Sequence, residues 1–407
     1  MAAMPGNAQY PRRHREGVVA VSSETRTYDI AEPESVGVSS DRLRELIERA
    51  HREIESGLLP SCQLALAREG KLVAFETLGD AEPGSRYIIF SMTKGVVAGA
   101  IWILVGENKI AWGDKVADFI PEFATNGKEN ITVEQLLTHT SGFPQAPMNL
   151  DVASTREGRI ECFGKWRLNW EPGTRFEYHP LSAHWVLGEI VTRVSGSDLS
   201  DFITERIFDP LGLSAFRLGE PEDRQGDIND LAIVGELPTP EEVKEVFGVA
   251  IDLEEVRGEV TDEALMAFNE PAARAIGAPG GGGISTAADI ALYYQEMLRN
   301  ASEIWDPRVL DEGKEPINEL PDPIRGIPAH RSRGLMVAGE PPEAQFRGFG
   351  HNLSPRTFGH DGAGGQIAWA DPDSGISFCY LTNGLDAHII RQGRRTIGLS
   401  SRAAVCA

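Results

Sequence analysis

The sequence predicts an α/β (α+β) fold, in which strands from both ends of the chain form an antiparallel sheet flanked by helices. Three patterns predict it. A helix and then a β-hairpin fit residues 41–79, and apolar helical patterns dominate residues 92–194. Residues 358–383 alternate between apolar and polar positions and are interrupted by turn residues. A mainly helical region is therefore expected to be inserted into a sheet lobe.

The individual elements follow from local patterns. Residues 41–54 carry their apolar side chains on one helical face, and Glu69-Gly70 separates two alternating strands at 62–68 and 71–79. Later patterns predict the following elements, in chain order: a helical region from 92 to about 148 that includes a second helix at 132–138, a third helix at 181–194, a glycine-rich turn at 278–286, a helix at 287–298, two or three strands within 358–383 and a final helix.

We predict one bilobal unit preceded by an N-terminal arm at residues 1–34. Residues 35–95 and 280–407 are assigned to the sheet lobe, and residues 96–279 to the helical lobe. The helical lobe includes an insert at about 218–265 with 15 acidic and 3 basic residues, a net charge of −12. A solvated surface insert explains this charge, and a lid over a pocket is the alternative.

Composition excludes several classes of function. The 407 residues are 41% hydrophobic and 25% charged, as in ordinary globular proteins. The net charge of −22 argues against a nucleic-acid partner and against an anionic membrane surface. The four cysteines are far apart and form no CxxC pair and no Cys/His cluster, so we expect no zinc site.

The termini and apolar runs set expectations for location. The first residues, MAAMPGNAQYPRRHREG, contain no apolar secretory segment. The longest apolar run, residues 95–106, is shorter than the ~20 residues that span a bilayer. We therefore expect a cytoplasmic protein without membrane insertion, and the oligomeric state stays open between monomer and homodimer.

The first candidate for chemistry is the pair Ser91 and Lys94, in a Ser-x-x-Lys pattern that follows a strand-like segment and opens a helical run. Three helical residues turn ~300°, which places both side chains on one face. A lysine in a dry pocket has a lowered pKa and can act as a base. Taken alone, the four-residue pattern is weakly specific.

Two further segments could complete a site. Tyr178 precedes a predicted helix, where its phenol could enter a cleft and serve as a general base, although a core or surface tyrosine is the simpler explanation. Its neighbour His179 is either a structural histidine or a substrate contact. The segment HDGAGG at 360–365 is either a plain glycine turn or a strand that offers an N–H to an oxyanion.

Together the segments resemble the serine β-lactamase and penicillin-binding-protein superfamily, in particular its class C β-lactamase-like branch, which includes the family VIII carboxylesterases. Ser-x-x-Lys is a signature of such proteins. Seven segments carry the resemblance, in order over about residues 33–400: LPSCQLALAREGKLVAFETLGD, YIIFSMTKGVVAGAIWILVGENKIAWGDKVADFIPEF, ITVEQLLTHTSGF, FEYHPLSAHWVLGEIVTRVSG, FITERIFDPLGL, GGGGISTAADIALYYQEML and FGHDGAGGQIAWADPDSGISFCYLTNG.

The resemblance implies a β-lactamase/transpeptidase-like fold and assigns roles. Ser91 would be the acylated nucleophile, Lys94 and Tyr178 would share the proton transfers, and the backbone N–H groups of Ser91 and Ala363 would form the oxyanion hole. His360 would occupy the place of the lysine in the family's Lys-Thr-Gly motif. Substrate contacts would then come from His360, Asp361, Gly362 and His179.

Two departures from the family pattern bear on the substrate. Where many relatives have Tyr-x-Asn, this chain has Tyr178-His179-Pro180, and a proline has no side-chain donor for a substrate amide. His360-Asp361-Gly362 replaces Lys-Thr-Gly, and a histidine is a weaker, pH-dependent anchor for a carboxylate. Both changes favour esters, although some peptidase relatives also use a His-x-Gly motif.

The leading hypothesis is a serine carboxylesterase that acts on small to medium acyl esters through an acyl-enzyme, with acyl transfer to another alcohol or amine as a variant. This acyl-enzyme reaction needs no metal and no organic cofactor, so we expect none. The alternative within the enzyme class is an amide hydrolase: a β-lactamase, a D-amino-acid peptidase or a hydrolase of small linear amides. A non-catalytic relative that binds acyl ligands or self-assembles is the alternative from another class. The expected partner is a small-molecule ester or amide.

Overall fold

A six-stranded antiparallel sheet is the centre of the fold in the computed structural model, which describes residues 27–247 and 260–407. Its strand order is β2-β1-β10-β9-β8-β7. The N-terminal hairpin thus pairs directly with the C-terminal strands. The strands of this sheet are β1 (Ser61–Arg68), β2 (Lys71–Gly79), β7 (Met336–Val337), β8 (Phe358–Gly362), β9 (Gln366–Ala370) and β10 (Ile376–Thr382).

Five short strands form two smaller sheets. One has the order β3-β6-β4, and in the other β5 pairs in parallel with β11. The second pairing attaches a strand of the acidic insert to the segment that follows β10. These strands are β3 (Tyr87–Ile88), β4 (Arg217–Leu218), β5 (Ala232–Val234), β6 (Gly283–Ser285) and β11 (Gly384–Asp386).

Most of the described helices lie in the chain between β3 and β7. The α-helices, in chain order, are α1 (Ser40–Glu55), α2 (Thr93–Gly106), α3 (Val116–Phe119), α4 (Val133–Leu137), α5 (Leu150–Ala153), α6 (Arg156–Lys165), α7 (Ser182–Ser195), α8 (Leu199–Ile203), α9 (Pro240–Phe247), α10 (Asp262–Met266), α11 (Pro271–Ile276), α12 (Ala287–Arg299), α13 (Pro307–Lys314), α14 (Glu343–Phe346) and α15 (Ile389–Ala404).

Local chemistry explains the ends of these elements. Glu69 and Gly70 both have positive φ, 54° and 77°, which is the backbone that a two-residue hairpin turn requires between β1 and β2. The Ser39 side chain accepts the Arg42 N–H and caps α1. Thr286 caps α12 in the same way by accepting the Asp289 N–H. The predicted hairpin and the helices predicted at 41–54 and 287–298 therefore agree with the observed ones.

Helix α2 is buried on nearly all sides and directly follows the segment that contains Ser91. Gly99 allows a close approach to α12, since a Cβ there would lie 2.5 Å from the Tyr293 hydroxyl oxygen. The same hydroxyl donates to the Gly95 carbonyl at 3.0 Å. Within the described residues, no helix combines the length and hydropathy that crossing a membrane requires. The apolar run at 95–106 is thus the middle of a core helix.

Two expectations differ from the structure in detail. The pattern at 92–148 predicted a helical region with a second helix at 132–138. The second helix is present as α4, but between α2 and α4 the chain forms only the short α3 and a 3₁₀ segment, Pro121–Phe123, because its apolar residues reach the core from irregular backbone. Of the predicted arm, residues 1–26 lie outside the described part. The following residues are attached: Tyr28 donates to Asp289 at 2.7 Å, and the Ala31 N–H donates to the Leu72 carbonyl at 2.8 Å.

Candidate active site

Ser91 lies in a one-turn 3₁₀ segment, Phe90–Met92, between β3 and α2. This is the predicted strand-to-helix junction. Phe90, directly before the serine, has φ 45°, a left-handed conformation that is strained for a bulky residue and that clusters at functional sites. Thr93 fixes the turn: its hydroxyl donates to the Phe90 carbonyl at 2.6 Å and accepts the Gly283 N–H at 2.9 Å.

The Lys94 side chain is fully buried and has three polar neighbours. Its Nζ donates to the carbonyl oxygens of Pro180 at 2.8 Å and Gly280 at 2.5 Å, and it lies 3.0 Å from Ser91 Oγ. Gly280 permits this arrangement, since a Cβ there would lie 2.7 Å from the Pro180 carbonyl oxygen. The carbonyls of Pro180 and Gly280, which lie in separate segments, thus hold the Lys94 amine beside the Ser91 hydroxyl.

The protonation state of Lys94 follows from this environment. Burial lowers its pKa well below the ordinary value, and the positive charge of Arg331 lowers it further, against a smaller opposite effect of Asp361. A neutral amine has two N–H donors and one lone pair. The two carbonyls accept the donors, so the lone pair is left for the Ser91 hydroxyl, which is the geometry of a general base.

Tyr178 closes the other side of this pair. Lys94 Nζ lies 4.9 Å from the centre of its ring, and Ser91 is among the side chains that lower the pKa of its phenol. Burial raises the pKa of the phenol above its ordinary value, and the carboxylate of Asp361 adds to the effect, whereas Arg331 opposes it. The structure therefore brings together all three side chains that the sequence selected for proton transfer.

The segment after β8 lies beside the turn that contains Ser91. A Cβ at Gly362 would be only 2.8 Å from the Ile89 carbonyl oxygen, so a side chain there would push the two segments apart. Gln366 links them, because its Nε2 donates to the carbonyls of Ile88 at 3.1 Å and Ala363 at 3.3 Å. The carbonyl of Ala363, whose N–H is predicted to belong to the oxyanion hole, is thereby tied to the strand that precedes Ser91.

His179 is engaged by protein groups on both ring nitrogens. Nδ1 contacts the Glu177 carbonyl at 2.6 Å, and Nε2 accepts the Phe143 N–H at 3.3 Å and lies 3.1 Å from Ser141 Oγ. Burial lowers its pKa to about 3, so the ring is neutral. The geometry favours the structural interpretation of His179: it anchors the segment 141–143 rather than facing a substrate.

His360 is also a neutral, fully buried ring, with a pKa lowered to about 4 mainly by burial. Arg331 Nη1 lies 3.1 Å from its Nε2, and a guanidinium can only donate, so Nδ1 carries the proton. Nδ1 lies 2.8 Å from the Asp361 carbonyl oxygen. His360 therefore occupies the position of the family's lysine without its charge.

Asp361 faces cations instead of a substrate group. Arg325 Nη2 lies 3.3 Å from Asp361 Oδ2, and the same guanidinium pairs with Asp322 at 3.2 Å. Burial opposes ionisation of Asp361, but the hydrogen bond from His360 and the charge of Arg325 outweigh it and lower the pKa below the ordinary value. Asp361 is thus an ionised member of a partly exposed charge network.

Sequence reasoning missed several residues at this site. Arg331 lies in AHRSRG and Arg325 in DPIRG, which carry no recognisable motif. His139 belongs to the quoted segment ITVEQLLTHTSGF, but was not selected; its ring centre lies 4.8 Å from that of Tyr178, and its Nδ1 accepts the His179 N–H at 3.2 Å. In the described ranges, no group of acidic, histidine or cysteine residues is arranged to hold a metal ion.

An apolar cluster lies next to Ser91 and Ala363. Phe90 packs with residues of the acidic insert, and Phe268, just after the insert, makes an edge contact with the Phe90 ring at 5.5 Å. We call this group the apolar wall. It consists of Ile88, Phe90, Ile228, Leu231, Ile284 and Leu385, with Leu265, Met266, Phe268 and Ala363 packed against it. The insert therefore contributes apolar surface beside the candidate nucleophile; its residues 248–259 lie outside the described part.

Comparison with known proteins agrees with this fold. The Beta-lactamase family matches residues 44–398, so the chain belongs to that family and is a serine hydrolase of the β-lactamase fold. This confirms both the predicted fold class and the resemblance to the serine β-lactamase and penicillin-binding-protein superfamily.

Individual relatives carry different names. A putative D-alanyl-D-alanine carboxypeptidase of Escherichia coli (strain K12) is 26% identical, with 86% of this chain and 84% of that protein covered. A penicillin-binding protein homologue from Caulobacter crescentus superposes with a TM-score of 0.74 at 25% identity, covering 91% of this chain and 99% of that one. A family VIII carboxylesterase gives a TM-score of 0.74 at 24% identity, covering 90% and 99%.

Proposed function

We propose that the protein is a serine carboxylesterase that acts on small to medium apolar acyl esters through an acyl-enzyme on Ser91. One observation carries the proposal: the buried Lys94 amine donates to two backbone carbonyls and lies 3.0 Å from Ser91 Oγ. Burial favours the neutral form of this lysine. In that form, with two N–H groups donated to the carbonyls, its lone pair is directed at the hydroxyl, which is the requirement for activating a serine.

In the proposed reaction, Ser91 Oγ attacks the ester carbonyl carbon while its proton passes to Lys94 Nζ. The oxyanion that forms is stabilised by the backbone N–H groups of Ser91 and Ala363. Collapse of the tetrahedral intermediate breaks the bond to the alkoxy oxygen. That oxygen takes a proton through Tyr178, whose phenol is reprotonated from Lys94, and the alcohol leaves.

Deacylation repeats the sequence with water. A water molecule loses a proton to the Lys94–Tyr178 pair, attacks the acyl carbon and releases the acid, and the proton returns to Ser91 Oγ. If an alcohol replaces water, the same steps give a new ester. Acyl transfer is therefore an outcome of the same site.

The preference for esters over amides rests on what the site lacks. Pro180 stands where many relatives have an asparagine that bonds a substrate amide, and its carbonyl is already used by Lys94. His360 stands where they have a lysine and is neutral and buried, so it offers no charge to a substrate carboxylate. Amide substrates bearing a carboxylate would lose both contacts.

The apolar wall supports the expected acyl class. Phe90 and Ala363 belong to it and flank the candidate nucleophile and oxyanion hole. The partly exposed members of the apolar wall, Leu265, Met266, Phe268 and Ala363, would offer apolar surface to an acyl chain attached to Ser91, which favours aliphatic or aromatic acyl groups over charged ones.

Amide hydrolysis is the second candidate, because the relative from Escherichia coli, matched over 86% of this chain, is named a putative D-alanyl-D-alanine carboxypeptidase. The test compares substrates on one enzyme. Turnover of p-nitrophenyl acetate, butyrate, hexanoate and octanoate is measured beside nitrocefin and a peptide ending in D-Ala-D-Ala. Ester turnover with little lactam or peptide cleavage supports the proposal. Faster lactam or peptide cleavage would replace it with the second candidate.

The nucleophile is tested on the same preparations. Ser91→Ala should abolish ester turnover and labelling by a fluorophosphonate probe, whereas Ser302→Ala, a change at an exposed serine, should leave both unchanged. Intact mass after brief exposure to a slow ester should show one added acyl group in the wild type and none in Ser91→Ala. Ester turnover that survives Ser91→Ala at the wild-type rate would overturn the assignment.

A further inference from the structure

Arg331 is a buried cation close to the proton-transfer groups. Only 2% of its surface is exposed. Its guanidinium carbon lies 5.3 Å from the centre of the Tyr178 ring and 5.9 Å from that of Phe176. Lys94 Nζ lies 4.9 Å from the same Tyr178 ring. Two side chains that are cationic in water therefore contact one phenol.

Arg331 is bonded to a neutral ring instead of a carboxylate. Among residues 27–247 and 260–407, none of the carboxylates lies within ion-pairing distance of it, and its side chain bonds the ring of His360 at 3.1 Å. The nearby Asp361 pairs instead with Arg325. An arginine does not lose its proton in a protein, so the adjustable groups around it must respond.

We propose that Arg331 is a positioning residue of the reaction, whose fixed charge keeps the Lys94–Tyr178 pair ready to accept the Ser91 proton. This inference rests on the proposed function. A second positive charge on Lys94 would be repelled by the guanidinium in a medium of low dielectric, so the neutral amine is favoured. A negative charge on Tyr178 would be attracted to it, because the electron-rich ring gains charge when the phenol ionises.

Other groups face the same pair and must be considered. Arg325 pairs with both Asp361 and Asp322. The charge of Asp361 favours the protonated amine of Lys94, but its effect on the Lys94 pKa is smaller than the opposite effect of Arg331. Four histidines surround the pair, and burial lowers the pKa of each, so they are neutral at pH 7. They are His139, His179, His184 and His360. Arg331 is therefore the charged neighbour of the pair that has no directly bonded counter-charge among the described residues.

The alternative role for a cation here is to anchor a substrate carboxylate. The position of Arg331 argues against it: the guanidinium is enclosed by the rings of Tyr178, Phe176 and His360 and is almost completely buried. The two roles make different kinetic predictions. An anchor changes the KM of carboxylate-bearing substrates, whereas a positioning residue changes the pH dependence for every substrate.

The experiment measures kcat/KM of a neutral p-nitrophenyl ester from pH 5 to 10 for the wild type, Arg331→Met and Arg331→Lys. In the wild type, kcat/KM should fall on the acid side of the pH profile; we call this part of the curve the acid limb. In Arg331→Met the acid limb should lie about one pH unit or more higher in pH, so that kcat/KM at pH 6 falls about tenfold or more and recovers at high pH. Arg331→Lys keeps the positive charge, so its acid limb should lie within about half a pH unit of the wild-type one. Arg347→Met is the matched control, since Arg347 is also buried but bonds the carbonyls of Ala338 and Pro328.

Each result decides the matter. An unmoved limb in folded Arg331→Met overturns the inference, as does a loss confined to the KM of carboxylate-bearing esters. If Arg331→Met does not fold, Arg331→Lys carries the test, and a limb displaced by a full unit overturns it. If wild-type turnover does not depend on Ser91, the proposed function fails instead, whereas Ser91-dependent turnover with an unmoved limb removes only the role of Arg331.

Discussion

Lys94 Nζ donates to the carbonyl oxygen of Gly280 at 2.5 Å, although the two residues are 186 positions apart. The contact depends on the absence of a side chain at Gly280, because a Cβ there would lie 2.7 Å from the Pro180 carbonyl oxygen and 3.0 Å from the Leu181 Cα. The orientation of the amine is therefore determined by a close approach of two backbone segments.

Gly280→Ala should separate these segments and misdirect Lys94. We expect kcat to fall at least about tenfold, because a small displacement of a proton-transfer group is costly, and stability to fall by about 1–3 kcal/mol. Gly113→Ala is the control, since nothing lies within 4 Å of a Cβ at Gly113. Ester kinetics and thermal unfolding of both variants measure this. Wild-type kcat in Gly280→Ala would contradict the proposed orientation.

Tyr178→Phe should reduce kcat by about 10²–10⁴-fold, because it removes a group that moves protons. Tyr294→Phe provides a matched comparison. The Tyr294 hydroxyl is buried and has no hydrogen-bond partner among the described residues, so its removal should leave activity unchanged and stability equal or slightly higher. Equal rates for wild type and Tyr178→Phe would exclude the phenol from the mechanism.

The buried histidines predict a loss of stability in mild acid. Burial lowers the pKa of His179 to about 3 and that of His360 to about 4, whereas the unfolded chain protonates near a pKa of about 6.5. Between these values the unfolded state binds more protons, so stability rises with pH and is lost as pH falls below about 6.5. Each such histidine contributes up to about 1.4 kcal/mol per pH unit.

Thermal unfolding between pH 4.5 and 8 checks this slope. Burial also lowers the pKa of His184, so this ring contributes to the slope of stability against pH, and His184→Leu should reduce that slope by the contribution of one histidine. The substitution removes no hydrogen bond, because both nitrogens of the buried ring lack partners within the described ranges. A melting temperature that is independent of pH across this window would contradict the prediction.

The apolar wall predicts an effect on acyl length. Phe268→Ala removes the ring that contacts Phe90 and should enlarge the space beside Ser91. We expect the ratio of kcat/KM for octanoate over acetate esters to rise about tenfold. Phe346→Ala is the control, since 52% of Phe346 is exposed. If this ratio is unchanged in Phe268→Ala, the apolar wall does not determine which acyl lengths the enzyme accepts.

Side chains with local spacing could be identified from the sequence, and the structure brings them together. Ser91 and Lys94 are three residues apart on one helical turn, so their proximity follows from helix geometry. Tyr178 was supported mainly because several segments occur in the family order. Alternation of apolar and polar residues predicted strands of the main sheet. The order of these strands could not be predicted in the same way, because it depends on pairing between residues more than 300 positions apart.

Other features had no sequence signal. The two carbonyls that hold Lys94 belong to the backbone, which is the same in every sequence, and Arg331 reaches the site from a segment without a motif. The identity of His360 was clear, but its neutral state depends on burial and on the donor supplied by Arg331. Charge states at a buried site follow from three-dimensional neighbours rather than from residue type.

The pairing of β1 with β10 has a consequence for biosynthesis. Cys62 in β1 lies opposite Thr382 in β10, so the edge of β1 that faces β10 has no partner until more than 300 further residues have been translated. Ser91 and Lys94 are made early, but Ala363 and its supporting strands come late. We therefore expect a nascent chain to carry the proposed nucleophile before the proposed oxyanion hole is complete, and hydrolysis to begin only after long-range closure of the sheet.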